Sequence, residues 1–234
     1  MTGWHRGPMV AFDLETTSAD PETARIVTAS LVRIDPMQGS VDIENHLADP
    51  GVEIPAEATA IHGITTEQAR AEGEYLPDVV LGVCGVLESA MDAGQPLVAY
   101  NASFDFTVLA RELGRIGAPA LVPFPVVDPY VIDKHVDRYR KGKRTLTASC
   151  EHYGVKLDQA HDSDSDALAA ARLAWMLANR YPQIGEKSLR ELHVAQFGWY
   201  REQQLGLADY FARQGKQETV NTEWPVRTGI EAVA

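Results

Sequence analysis

VAFDLETT, residues 10–17, reads as a buried strand that runs out into a turn. Asp13 and Glu15 are two apart, so on a strand both side chains point to one face. The rest of the stretch is apolar, and two carboxylates set into such a face carry a heavy desolvation cost unless something compensates them. An Arg or Lys partner, an exposed strand end, or a bound cation would each do so. Thr16 and Thr17 follow at once and put the pair at the strand terminus, where α/β sheets gather their sites.

Working outward, residues 25–35 alternate Ile26, Thr28, Ser30, Val32 and Ile34 against Val27, Ala29 and Leu31, the period of a strand. PMQGS at 36–40 is a turn, and residues 41–50 form a third strand. Three strands on short turns predict an antiparallel meander. IHGIT at 61–65 reads as a loop, and 66–71 and 77–92 as helices. PLVAYN at 96–101 is a short apolar strand, followed by a helix with Phe104, Val108, Leu109, Leu113 and Ile116 at helical spacing. PVVD at 125–128 is another strand. Helices are predicted over 145–154, over 162–180 with Leu168, Ala171, Trp175 and Ala178 on one side, and over 183–215. The sum is an α/β fold, a mixed five-stranded sheet of three antiparallel and two parallel strands flanked by helices. Residues 1–182 form the main domain, 183–215 a C-terminal helical extension and 216–234 a tail that docks through Trp224 and Pro225.

Two further strings bring acids to the same question: VAYNASFD at 98–105 and HDSDSD at 161–166. Asp105 falls in the first turn of one predicted helix and Asp166 near the start of another, where the helix dipole favours negative charge. Capping accounts for either aspartate taken singly. Together with Asp13 and Glu15 they make four carboxylates from distant segments, a hard-oxygen set suited to two Mg²⁺ or Mn²⁺ ions about 4 Å apart that clamp the attacking and leaving oxygens of a displacement. His161, on the loop before the last helix, has a side chain able to take a proton near neutral pH; a capping histidine or a metal ligand are the other readings.

The chain has 234 residues, 45% of them hydrophobic and 23% charged, and a net charge of −12. That charge argues against a general nucleic-acid coat protein, which needs a Lys/Arg footprint. It leaves room for an enzyme that meets nucleic acid through metals. The exception is a basic run of Lys134, His135, Arg138, Arg140, Lys141, Lys143 and Arg144, read as a loop that is either solvated or phosphate-contacting, the latter through Arg138, Lys141, Lys143 and Arg144. Cys84 and Cys150 read as reduced core residues. No membrane-length apolar run or signal-peptide pattern occurs, which predicts a cytoplasmic protein.

These motifs resemble those of the DEDD superfamily of 3′→5′ exonucleases, in its histidine branch. VAFDLETT resembles the Asp-x-Glu motif, Asn101 to Asp105 the Asn-x-x-Phe-Asp motif, and His161 to Asp166 the motif in which His precedes the final Asp by five. The chain is similar over residues 8–180 to the proofreading epsilon subunits of bacterial DNA polymerase III. The resemblance implies a ribonuclease H-like fold and removal of nucleoside monophosphates from 3′ ends. It also implies metal ligation by Asp13, Glu15, Asp105 and Asp166 (selecting Asp166 over Asp162 and Asp164), with His161 as general base. By the same analogy Leu14 and Thr16 line the terminal-nucleotide site, and Glu57, His62, Asn101 and Phe104 contact its sugar and base. Single-stranded DNA is the favoured substrate, with RNA as the alternative. A polymerase-bound proofreading role, with DNA polymerase or a sliding clamp as partner, and a non-catalytic end-binder rank behind a stand-alone enzyme. Gln204–Leu207 resembles a clamp-binding peptide only faintly and is read as helix core.

Overall fold

The computed structural model describes residues 3–157, 163–229 and 232–233. β1 (Met9–Thr16), β2 (Ile26–Asp35) and β3 (Ser40–Asp49) form the antiparallel meander. β4 (Glu74–Tyr75) adds parallel to β3 at one edge. β5 (Leu97–Val98) pairs parallel with β1, and β6 (Val126–Val127) parallel with β5, at the other. The order is β4-β3-β2-β1-β5-β6, so β1 lies inside a six-stranded sheet. The sequence predicts five strands; the sixth is β4, two exposed residues too short to show alternation.

The alternation along β1 decides what each face meets. Val10, Phe12 and Leu14 point into one apolar layer, built with α3 (Leu76–Asp92) and α4 (Ser103–Arg115). Phe12 packs edge-on against Phe106 of α4, ring centroids 4.8 Å apart. Met9 and Ala11 point to the other layer, against α7 (Ser163–Arg180). Asp13 and Glu15 continue the Met9–Ala11 face, which is therefore apolar at its start and acidic at its end. Ala167, Ala170, Ala171 and Ala174 are all buried on α7, and small side chains let a helix axis lie close to a strand. The predicted α7 stripe is shifted: Ala171 and Ala178 are buried, but Trp175 is exposed, and Leu173 and Leu177 take the core positions.

Before these, α1 (Ala56–His62) and α2 (Thr66–Glu72) cover the β3 end of the sheet. The IHGIT loop is thus helical up to His62, and Gly63 ends α1 at φ 82°, a left-handed position that suits glycine. A helix the sequence reading did not predict, α5 (Pro129–Val136), follows β6, and Lys134 and His135 of the basic run lie on it rather than in a loop. α6 (Leu146–Tyr153) starts on the Thr145 cap. α8 (Pro182–Gly185) leads into α9 (Leu189–Arg213), whose first turn carries a Ser188–Glu191 capping box.

The first half of α9 completes the sheet. β6 is an edge strand, and its unpaired backbone groups need partners. The Val126 N–H donates to His193 Nδ1 at 3.0 Å, Gln196 Nε2 donates to the Val126 carbonyl at 2.9 Å, and the Asp128 N–H donates to Gln196 Oε1 at 2.7 Å. Burial holds His193 down at about 4, so it stays neutral and able to accept. The second half of α9 departs from expectation. Leu205 and Leu207 are exposed rather than core.

The tail is not featureless. β7 (Val220–Asn221) pairs with β8 (Ala232–Val233), and Trp224 is buried against the α3–α4 layer. Cys84 and Cys150 are buried free thiols. No helix among the described residues is long and apolar enough to cross a membrane.

Candidate active site

Asp13 and Glu15 at the end of β1 meet Asp166 in the first turn of α7. One carboxylate oxygen from each lies within 4.8 Å of the other two. The strand supplies two acids by its period of two, and α7 brings the third because its alanine face lies against that same side of β1. Burial, reinforced by the negative charges of Asp105, Glu15 and Asp166, holds the Asp13 carboxyl well above the usual carboxylate range. Mutually repelling hard oxygens held this close fit a divalent cation, which would remove the repulsion and supply the charge that desolvation withholds.

Asp105 stands apart from these three. It is 3% exposed and reaches the end of β1 from α4 on the opposite layer, where one carboxylate oxygen accepts the Leu14 N–H at 3.2 Å. Burial raises its carboxyl as well, against that hydrogen bond. It therefore fixes the strand end between Asp13 and Glu15, and lends its charge to Asp13. His161 lies outside the described residues.

Beside the acids is a cavity of about 330 Å³ lined by Asp13, Asp166, Tyr100, Asn101, Tyr130, Arg144, Thr145 and Leu146. Asn101 is exposed and adopts φ 64°, the left-handed region, which asparagine tolerates better than most residues. What enforces this turn is Asp128, which sequence reading placed only at a strand end. Asp128 is fully buried; its Oδ1 accepts the Asn101 N–H at 3.0 Å and its Oδ2 the Ala102 N–H at 2.9 Å. It also caps α5 through the Tyr130 N–H at 3.0 Å and accepts the Trp224 indole N–H at 3.2 Å. Burial lifts its carboxyl to about 6 against these donors. The signal was present in the sequence: Asp128-Pro129 is an N-cap followed by proline in the first helical turn. Tyr100 and Tyr130 pack edge-on, centroids 5.6 Å apart, and the Tyr100 hydroxyl donates to the Arg144 carbonyl at 2.8 Å. Neither tyrosine was picked out from sequence.

Of the other residues implied by resemblance, only Asn101 lines this cavity. Leu14 contributes its backbone N–H as above, with its side chain in the core. Thr16 is buried and donates to the Ser18 carbonyl at 2.8 Å. His62 faces the Thr16 backbone, and its Nδ1 accepts the Ile64 N–H at 3.1 Å; burial lowers its pKa, leaving a neutral ring. Phe104 is half-buried on α4, and Glu57 is exposed at the start of α1.

The basic run divides in two. Arg140 and Arg144 turn inward onto Asp133, which is fully buried: their guanidinium nitrogens lie 2.6 and 2.8 Å from its Oδ2, and the Tyr153 hydroxyl donates to its Oδ1 at 2.7 Å. Arg144 also donates to the carbonyls of Asp133, Asp137 and Arg140. Its guanidinium is thus committed to holding the loop, which corrects its reading as a free phosphate contact. Arg138, Lys141 and Lys143 are exposed, and Arg138 pairs with Glu202 at 2.8 Å.

A model of the Exonuclease (RNase_T) family matches residues 10–174. A DNA polymerase III PolC-type protein of Caldanaerobacter subterraneus subsp. tengcongensis is 28% identical over 187 residues, covering 80% of this chain and 13% of that protein. A DNA polymerase III subunit epsilon-like protein of Rhodobacter capsulatus is 31% identical over 166 residues, covering 69% and 22%. The chain thus spans less than a quarter of the length of these curated relatives. Among solved structures, E. coli exonuclease I in complex with a dT13 oligonucleotide superposes with a TM-score of 0.65 at 20% identity, covering 77% of this chain and 43% of that one. Exonuclease I from Methylocaldum szegediense gives 0.60 at 19%, covering 76% and 41%. These structures share the fold. With the family model covering most of its length, the chain belongs to the Exonuclease (RNase_T) family of the DEDD superfamily.

Proposed function

We propose that this protein is a metal-dependent 3′→5′ exonuclease that hydrolyses the terminal phosphodiester bond of single-stranded DNA and releases nucleoside monophosphates. The observation that carries this reading is the Asp13–Glu15–Asp166 cluster, its oxygens within 4.8 Å of one another at the mouth of a cavity walled by Tyr100, Asn101 and Tyr130. Asp13, Glu15 and Asp166 would hold a pair of Mg²⁺ or Mn²⁺ ions, with Asp105 completing the set. Such ions neutralise charge on the reacting phosphate and make water acidic enough to supply a nucleophile near neutral pH.

The chain's own residues do the rest. Asp105 holds the strand end rigid through Leu14, so Asp13 and Glu15 keep their separation. Asp128 holds the Asn101 turn open beside the acids. His161 takes the proton from the attacking water, and Phe104, half-buried at the head of α4, offers a face on which a terminal base of any identity can stack.

The test uses 5′-labelled single-stranded DNA and RNA with Mg²⁺ or Mn²⁺, a chelator control and Asp13→Ala. The expected result is stepwise shortening of DNA from the 3′ end, abolished in both controls. Activity that survives chelation overturns the metal mechanism, and equal or faster loss of RNA moves the substrate to RNA. His161→Ala is expected to keep metal affinity and lose about a hundredfold or more in turnover; collapse of metal affinity would make it a ligand instead. The similarity to two polymerase III proteins supports a second reading, a proofreading module bound to a polymerase. Co-purification with polymerase or clamp subunits tests it.

A further inference from the structure

A second cavity, of about 300 Å³, opens between α5 and α9, with Lys134, His135, Arg138, Arg144, Trp199 and Gln203 in its walls. It adjoins the carboxylate cavity. Arg144 lines both, and Lys134 Nζ lies 3.3 Å from the hydroxyl of Tyr130, a residue of the first cavity, and 4.7 Å from its ring centroid. In a chain of net charge −12, this groove presents Lys134 and Arg138 against one acid, Glu202, while the Arg144 guanidinium in its wall is held by Asp133. The imidazole of His135 stacks on Trp199, centroids 3.9 Å apart and planes 12° from parallel, and His135 is exposed. Gln203 Nε2 ties α9 to α5 through the Val131 carbonyl at 2.9 Å, while its Oε1 is buried with no hydrogen-bond partner. Trp199 and Gln203 lie outside the stretch that the family model matches.

We propose that this groove seats the single strand upstream of the scissile phosphate. The inference rests on the exonuclease reading above. With the 3′ end at Asp13 and Asp166, the strand leaves past Tyr130 and Arg144 and enters the groove on its 5′ side. Lys134 and Arg138 neutralise successive phosphates, and a base stacks on the open face of His135. Charge and an aromatic platform together are what sequence-independent recognition of a single strand requires. The exposed Arg138–Glu202 pair is no obstacle, since surface ion pairs of this kind contribute little and exchange readily for a phosphate.

The test compares two substrates. The p-nitrophenyl ester of thymidine 5′-monophosphate has no upstream strand and reports the catalytic cavity; a long oligothymidylate reports both cavities. In Lys134→Gln/Arg138→Gln, with Arg144 left in place, the ratio of kcat/KM for the oligonucleotide to that for the ester is expected to fall about tenfold, through the oligonucleotide KM. The salt slope of log KM should shrink by about 1.4, the single-strand value for two phosphates lost. His135→Ala should lower the same ratio by about tenfold with little change in salt slope. An unchanged ratio overturns the proposal. So does competition by an acidic peptide alongside an unchanged oligonucleotide KM in the variants, which would assign the groove to a protein partner. Hydrolysis of neither substrate by the wild type removes the exonuclease reading and this inference with it.

Discussion

Two acidic centres, the fully buried Asp133 and the half-buried Asp13, are built on opposite principles. Asp133 is fully buried and met by two guanidiniums and a tyrosine hydroxyl. Asp13 is surrounded by further acids, and burial together with their charge lifts its carboxyl. The first arrangement holds the segment between α5 and α6 in place; the second gathers like charges whose repulsion a bound cation would relieve. An acid buried with arginines marks structure, and acids gathered with acids mark a candidate site.

The sharpest way to break this contrast is Asp13→Asn. Turnover is expected to fall about a thousandfold, as loss of several kcal/mol of charge stabilisation would give, while the melting temperature in chelator rises because one repelling charge is gone. A fall in melting temperature would mean that the cluster is structural after all. Asp133→Asn should do the reverse. It leaves two arginines buried without their counter-charge and costs about 3–5 kcal/mol in chemical denaturation. Stability within about 1 kcal/mol of wild type would put the pair among those that contribute nothing measurable.

Smaller effects concern Asp128, which stands between the two cases, satisfied by N–H donors and not by cations. Trp224→Phe removes one donor to a carboxylate and should cost about 2 kcal/mol, with a loss of activity through the Asn101 turn. Unchanged stability would show the tail to be dispensable to the site. The pH effect is the most modest. Asp128 is held at about 6, so the native state keeps a proton that the unfolded chain releases near about 4. Its contribution to stability is therefore greatest at the acid end and declines as pH rises from about 4 to about 6. In Asp128→Asn this decline is absent, so the wild-type-minus-variant difference in denaturation free energy should fall as pH rises over this range; a difference that rises would reverse the sign of the assignment.

Much of the frame was legible in sequence because it depends on local period. The alternation of residues 25–35 and the apolar run before Asp13 specify strands whatever surrounds them, and the two-residue spacing puts Asp13 and Glu15 on one face. α5 is hard to read from sequence because basic residues crowd its C-terminal end, although Asp128-Pro129 marks its start. Arg140 and Arg144 looked like free cations because their partner, Asp133, is a single unremarkable acid until folding buries it. Leu205 and Leu207 look like core because apolar spacing along a helix shows no neighbour, and in the fold both are exposed.

Local pattern in the chain accounts for the strand–helix alternation, for the candidate acids and for the family resemblance. Packing is what joins Asp166 to Asp13 and Glu15 while Asp105 reaches the strand end from behind. It alone closes the open edge of β6 with α9, ties Trp224 to Asp128, and splits the basic run into a buried clamp and an exposed groove. The physical reason is range. Periodicity is written in residues three or four apart, whereas the partner of a buried charge or an open strand edge is chosen by packing between segments tens of residues away.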